Sequence, residues 1–173
     1  MPYLFVAGAI LLRLLPHPWN LTPMGAMFLF SGATFQRRRE SLLVPFAALL
    51  LSDVAVMYLL YGGRYGWGWS PYTWAGFLLM GSIGWILRGR ITFARVAGAS
   101  LAGSLVFFLV SNLGVWMGGA MYPATLSGLV SCYVAALPFF RNTLLGDLAY
   151  AGLFFGSWEW LRHRVPALSA VAR

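Results

Sequence analysis

Residues 49–57 read LLLSDVAVM and place one carboxylate, Asp53, inside the largely apolar run from Ser41 to Tyr61. A run of about twenty such residues predicts a membrane-spanning helix. An ionised carboxylate in the middle of that helix costs several kcal/mol unless it faces a partner or a water-filled cavity. Asp53 therefore either marks a polar pocket inside a helical membrane bundle or serves packing alone, with Arg13 as the candidate partner on a neighbouring helix.

Composition predicts one transmembrane domain over residues 1–173. The chain is 60% hydrophobic and 9% charged, whereas soluble domains carry about 25% charged residues. Backbone groups in lipid must be satisfied internally, so the predicted fold class is an all-α integral membrane protein. The net charge of +8 comes from arginine alone and lies between apolar segments, which favours contact with the lipid bilayer over nucleic acid. The single cysteine, Cys132, excludes an internal disulfide.

The arginines also predict the topology. Clusters at Arg37–Arg39, Arg88–Arg95 and Arg162–Arg164 are typical of cytoplasmic segments. An even number of crossings must then separate any two clusters, so one apolar segment does not cross. We assign Ala124–Phe140, which a proline interrupts near its end, to a re-entrant or surface helix before the last span. The result is a six-transmembrane-helix bundle with both termini cytoplasmic.

Polar and aromatic residues collect on the outer side of this predicted bundle. We expect them to form a substrate pocket open to the outside, with Asp53 as its floor. The candidate substrate-binding residues are His17, Asp53, Trp67, Trp69, Tyr72, Asn112, Trp116, Tyr122, Arg141 and Asn142.

Most of these residues have a second, structural interpretation. His17 either binds a ligand or metal or is an interfacial histidine between two prolines. Arg141 either grips a carboxylate, amide or phosphate or extends its charge to the interface from a helix end. The tryptophans either stack on a flat ligand or form an aromatic belt. No cluster has the spacing of a dedicated metal site.

Two further acidic residues are predicted to be structural. Asp147 is expected one turn into the last helix, where a carboxylate complements the helix dipole. It also lies where it could join the outer pocket. Glu159 is expected to pair with Arg162 and His163 at helical spacing. Cys132 is expected to act as a small buried hydrophobe.

Five blocks of sequence carry a resemblance to a known family. They are HPWNLTPMGA (17–26), LSD (51–53), FFLVSNLGVW (107–116), YPAT (122–125) and PFFRNTL (138–144). They resemble DUF6580, a family of small bacterial membrane proteins, which is similar to the S components of energy-coupling-factor (ECF) vitamin transporters. The resemblance implies an S-component-like bundle of six helices, termini inside, and a substrate pocket on the outer side.

Within that group, the order of polar residues resembles the BtuM-like solitary cobalamin S components. The matching residues are His17, Asp53, Tyr72 and Arg141. The resemblance implies that His17 approaches the cobalt or the corrin ring, as its only metal role, and that the others hold the amides of the ring. The loop cysteine that removes cyanide in those proteins is absent from residues 62–72, so we expect no catalytic residue and no enzyme activity.

The first helix also lacks the Ala-x-x-x-Ala pattern through which S components dock on a shared energising module. Leu11 stands four residues after Ala7, which favours a solitary carrier, with an ECF energising module as the alternative. We predict a bacterial inner-membrane carrier that takes up a vitamin-like micronutrient, first cobalamin (vitamin B12), and has no intrinsic cofactor. Two alternatives stay open: a structural or scaffold membrane protein whose arginine loops recruit partners, and a membrane enzyme that uses Asp53 and His17 as acid and base.

Overall fold

The computed structural model describes residues 1–59, 62–63 and 71–164. These residues form six α-helices, which confirms the all-α prediction. The helices are α1 (Pro2–Leu14), α2 (Met24–Thr34), α3 (Arg38–Leu59), α4 (Pro71–Gly84), α5 (Phe93–Met117) and α6 (Leu126–Arg164), and a short 3₁₀ helix (Trp85–Leu87) continues α4. The candidate site residues Trp67 and Trp69 lie outside the described residues.

Helix α2 is the centre of the bundle. Every residue from Met24 to Gly32 is buried, and α2 packs against all five other helices. A helix that is apolar on every side is expected to be enclosed in this way. Phe28 stacks on Phe77 of α4 with ring centroids 5.3 Å apart. The other helices therefore surround α2.

Glycines bring α2 and α4 into backbone contact. A Cβ atom at Gly32 would lie 3.0 Å from the Cα of Gly84, and one at Gly84 would lie 3.2 Å from the backbone N of Ala33. Both obstacles are main-chain atoms, which cannot move aside as a side chain can. Small residues at a helix interface permit this close approach, so the α2–α4 contact depends on these two glycines.

The three arginine clusters lie at one end of the bundle. Phe5 near the start of α1 packs against Trp158 near the end of α6, with ring centroids 5.9 Å apart. The guanidinium of Arg38, at the start of α3, lies 5.1 Å from the ring centroid of Trp85. We call this the arginine-rich end, and it consists of Arg37–Arg39, Arg88–Arg95 and Arg162–Arg164.

Arg88 closes the C-terminal end of α2. Its Nε donates to the carbonyl oxygen of Gly32 at 2.9 Å, its Nη2 to that of Phe35 at 3.0 Å, and its Nη1 to that of Gln36 at 3.4 Å. The last carbonyls of a helix lack partners within the helix, and a cation there also complements the helix dipole. Burial, and then the charge of Arg38, lower the pKa of Arg88 from its ordinary value. The three carbonyl oxygens therefore hold the Arg88 guanidinium close to Arg38, which carries the same positive charge.

Three of the described helices, α3, α5 and α6, are long and apolar enough to cross a membrane. Large apolar side chains on them are exposed, among them Leu51, Leu105 and Leu153. Water-exposed surfaces seldom carry a contiguous apolar area of this kind. These features fit a location in the membrane.

The prediction of a separate re-entrant or surface helix over Ala124–Phe140 is wrong. Helix α6 runs unbroken for 39 residues with Pro138 inside it. A proline removes only one N–H from the helix, and neighbouring helices can compensate the freed backbone groups. At about 1.5 Å per residue α6 is about 58 Å long. The chain therefore returns to the arginine-rich end through one antiparallel α5–α6 hairpin.

Candidate functional site

A cavity of about 390 Å³ lies at the end of the bundle away from the arginine-rich end. The α1–α2 connection, the starts of α2 and α4, the C-terminal half of α5 and the middle of α6 form its wall. Five of the described aromatic side chains line it: Phe77, Phe107, Phe108, Phe139 and Phe140. The uncharged polar residues of the wall are Asn20, Thr22, Thr73, Ser111, Asn112 and Thr143. Among the described residues of the wall, the charged ones are Arg13 and Asp147.

Asp147 is the buried acid of the cavity, with a relative exposure of 3%. Ser104 Oγ lies 2.7 Å from its Oδ2 and 2.9 Å from the carbonyl oxygen of Ser100, so the one hydroxyl hydrogen is shared between these two acceptors. The backbone N–H of Ala26 donates to the same carboxylate. Gly25 makes this approach possible, since a Cβ atom there would lie 2.8 Å from the Cγ of Asp147. The first N–H groups of a helix lack partners within the helix and attract anions. The start of α2 therefore holds the Asp147 carboxylate.

Arg13 reaches the cavity with its charge already paired. Its Nη2 lies 2.5 Å from Asp53 Oδ1, and its Nη1 donates to Ser52 Oγ at 2.5 Å. Asp53 itself is not part of the cavity wall. This Arg13–Asp53 ion pair agrees with the interpretation in which Asp53 serves packing and Arg13 is its partner. A role for Asp53 in binding substrate stays a prediction.

Asp147 differs from the other three acidic residues in its partners. The chain has four acidic residues. Asp53 pairs with an arginine, as do Glu40 with Arg37 at 3.1 Å and Glu159 with Arg162 at 3.2 Å. Within residues 1–59, 62–63 and 71–164, no cationic side chain lies within 4.0 Å of the Asp147 carboxylate. The carboxylate in the cavity wall is therefore the one that no described cation balances.

Of the described candidates, Asn112 lines the cavity. Its Nδ2 donates to the carbonyl oxygen of Phe108 at 2.8 Å. Asn142 is half-buried and lies next to the cavity wall in sequence, but its Nδ2 donates to the carbonyl oxygen of Trp19 at 3.0 Å. This bond ties α6 to the α1–α2 connection.

The remaining described candidates lie outside the cavity wall. His17 is exposed, with its Nδ1 2.6 Å from the carbonyl oxygen of Leu15. The Tyr72 hydroxyl donates to the sulfur of Met117 at 3.2 Å, and Trp116 Nε1 donates to the carbonyl oxygen of Pro123 at 3.0 Å. Two further candidates, Tyr122 and Arg141, are half-buried and exposed, respectively. The structure therefore does not bring the predicted set together in one pocket wall.

The placement of Asp147 in the first turn of a helix is wrong. Because α6 begins at Leu126, Asp147 lies in the helix interior, and the helix start that it meets belongs to α2. The predicted pairs of Glu159 are confirmed, with His163 Nε2 3.4 Å from its Oε1. Cys132 is buried, as predicted. Sequence reasoning missed the aromatic wall, although adjacent phenylalanines at 107–108 and 139–140 are visible in the sequence.

The described part of the chain contains no group of three His, Cys, Asp or Glu side chains that could hold a metal ion. The described contact of the His17 side chain is a backbone carbonyl oxygen, that of Leu15. A metal carried by a bound ligand is the one metal role that His17 retains as a prediction.

Comparison with known proteins gives a family and no assigned activity. No curated protein and no solved structure matches the chain. A family model described as a family of unknown function, DUF6580, matches residues 1–168. The chain therefore belongs to the DUF6580 family.

Proposed function

We propose that this protein is a membrane carrier that binds a small, vitamin-like molecule in the cavity at the start of α2. The observation that carries the proposal is the cavity itself, about 390 Å³ in volume, with an aromatic wall and a few polar side chains. Ligand sites are typically clefts of about 300–1,000 Å³ with that composition.

The direction of the helices supports uptake from the outer side. The arginine-rich end is expected in the cytoplasm, because arginine and lysine concentrate in cytoplasmic loops of membrane proteins. The cavity lies at the other end and would then face outward. The proposal includes a six-span, S-component-like bundle. Helices α1, α2 and α4 have 13, 11 and 14 residues, fewer than the about 20 of a full span, and of these α2 is enclosed by other helices and does not need to match the lipid by itself.

The volume favours a small substrate. At about 390 Å³, the cavity is near the lower end of the range for ligand sites. A small micronutrient fits inside it, whereas cobalamin would fit only in part and would extend outward. His17 lies in the α1–α2 connection, which also supplies Asn20 and Thr22 to the wall. Cobalamin, suggested by the resemblance to S components, would meet the protein there.

A scaffold function has one observation in its favour. The side chain of Arg37 is 82% exposed at the arginine-rich end, where it could meet anionic headgroups, an energising module or another protein. That function does not require an occupied cavity. The two proposals therefore differ in whether blocking the cavity changes what the protein binds.

The test compares two neighbouring positions on α6. Ala136 lines the cavity, whereas Leu137 is 52% exposed on the outer surface. Wild type, Ala136→Phe and Leu137→Phe are purified in parallel, and their small-molecule extracts are compared by mass spectrometry. We expect a compound that is present with wild type and Leu137→Phe and depleted at least tenfold with Ala136→Phe. Identical extracts from all three proteins would contradict the carrier.

Cobalamin as the substrate is tested by a separate measurement. Protein purified from cells grown with cobalamin is expected to be coloured, and its melting temperature to rise on adding a corrinoid. A colourless protein whose melting temperature is insensitive to corrinoids would remove cobalamin as the substrate. The comparison of Ala136→Phe with Leu137→Phe would still decide whether a different compound is carried.

A further inference from the structure

We infer that the cavity takes a small organic cation, such as an alkylammonium or quaternary ammonium compound, with Asp147 as its counter-ion. This inference rests on the proposed carrier function and names its substrate class. Three observations carry it: the charge balance of the wall, the arrangement of its hydrogen-bond donors, and its aromatic rings.

When Asp147 is ionised, the described charges of the wall leave a negative remainder. Arg13 is neutralised by Asp53, whereas no described cation pairs with Asp147. The start of α2 supplies the Ala26 N–H and the positive end of a helix dipole, equivalent to about half an elementary charge. Burying a carboxylate without full compensation is unfavourable. A cation in the cavity would complete the balance, and an anion would add to the imbalance.

Two hydroxyls of the wall, those of Ser111 and Thr143, point the same way. Ser111 Oγ donates to the carbonyl oxygen of Phe107 at 2.7 Å, and Thr143 Oγ1 donates to that of Phe139 at 3.1 Å. A hydroxyl has one hydrogen and two acceptor lone pairs. Both hydroxyls therefore donate their one hydrogen to the backbone, and only the lone pairs of their oxygens remain to accept from a ligand. At these two positions the wall suits a ligand that brings donors or positive charge.

Aromatic rings form the rest of the wall. Phe77 and Phe107 lie with ring centroids 4.5 Å apart, and Phe108 and Phe140 with centroids 4.6 Å apart. The faces of such rings attract ammonium groups within about 6 Å, more strongly where water is excluded. An alkyl or aryl portion of the ligand would also be buried against these side chains.

A set of three soluble probes of matched size tests the charge preference: 2-phenylethylammonium, 2-phenylethanol and phenylacetate. Binding to the purified full-length protein is measured by calorimetry and by the shift in melting temperature. Choline and its neutral isostere 3,3-dimethyl-1-butanol form a second pair. We expect each cation to bind at least tenfold more tightly than its neutral counterpart, and phenylacetate to bind weakest. Equal affinities, or a preference for the alcohol or the carboxylate, would overturn the inference.

Two variants locate the preference. Asp147→Asn keeps one acceptor oxygen beside Ser104 and Ala26 and removes the charge. We expect it to reduce the affinity for cations at least tenfold while leaving that for the alcohols unchanged. Phe140→Leu removes one ring of the wall without changing charge, and we expect a loss of about threefold to tenfold for the cations. Unchanged cation preference in Phe140→Leu and in a folded Asp147→Asn would overturn the inference.

The cation inference and the carrier proposal can fail independently of each other. A neutral or anionic compound that is extracted from wild type and depleted from Ala136→Phe would leave the carrier in place and overturn the cation. Identical extracts from wild type and Ala136→Phe would contradict the carrier, whatever the probes show.

Discussion

The two ends of α2 differ in how they are packed. At its C-terminal end, Gly32 lies against the backbone of α4, and the Arg88 guanidinium covers the free carbonyls. At its N-terminal end, Gly25 and Ala26 contact the Asp147 carboxylate, and Gly25 and Asp147 line the cavity. The same buried helix therefore ends in a closed backbone contact on one side and beside a cavity on the other.

This difference separates stability from binding. Changes at the closed end should alter the free energy of unfolding and leave the ligand site intact. Changes at the open end should alter ligand binding with less effect on folding, since the surrounding groups can shift into empty volume. Variants at each end test that separation.

The largest effect is expected from Gly84→Ala. The new Cβ would meet the backbone of Gly32 and Ala33, so α2 and α4 must separate, and we expect a loss of about 3 kcal/mol. Gly98→Ala is the matched control on α5, since nothing lies within 4 Å of its Cβ position, and it should gain up to about 1 kcal/mol. Unfolding by denaturant in detergent measures both. Equal stability of the two variants would refute the close contact.

A smaller loss is expected from Arg88→Gln at the same end. Removing the guanidinium deprives the carbonyls of Gly32 and Phe35 of charged donors, which we expect to cost about 2 kcal/mol. Arg90→Gln serves as the control because Arg90 is exposed, and it should stay within about 0.5 kcal/mol of wild type. Both variants should retain the extracted compound. Loss of that compound in Arg88→Gln would break the separation of the two ends.

Gly25→Ala tests the open end. Its Cβ would meet the Asp147 carboxylate and the sulfur of Met80, and both are side chains that can shift, so we expect a loss of only about 1 kcal/mol. The displaced carboxylate should lower the affinity for 2-phenylethylammonium at least tenfold. Calorimetry and a denaturant titration on the same sample give both values. A large loss of stability with unchanged affinity would reverse the assignment.

Hydropathy and arginine placement were sufficient to predict an all-α bundle with its basic clusters at one end. They were not sufficient to predict the course of the chain around Pro138, which lies inside α6. A proline can end a helix or be accommodated within it, and the neighbouring helices decide which occurs. That information lies in packing and not in the local sequence.

The partners of Asp53 and Asp147 could not be predicted from the local sequence either. Asp53 and Asp147 both lie in apolar surroundings, but Asp53 meets Arg13, which is distant along the chain, and Asp147 meets the start of α2. No local pattern distinguishes these partners. The aromatic wall is likewise assembled from α4, α5 and α6, so its adjacent phenylalanines gain meaning only once the helices are packed.

Comparison of Asp147→Asn with Asp53→Asn tests the central claim most directly. Both changes remove one charge and preserve side-chain shape, and the amide oxygen that replaces the Asp53 carboxylate could still accept from Arg13. The compound extracted from each purified variant is quantified against wild type by mass spectrometry, with melting temperature as the check on folding. We predict that Asp147→Asn loses at least nine-tenths of the compound, a tenfold change worth about 1.4 kcal/mol, whereas Asp53→Asn retains most of it. Retention by a folded Asp147→Asn together with loss in Asp53→Asn would contradict the account.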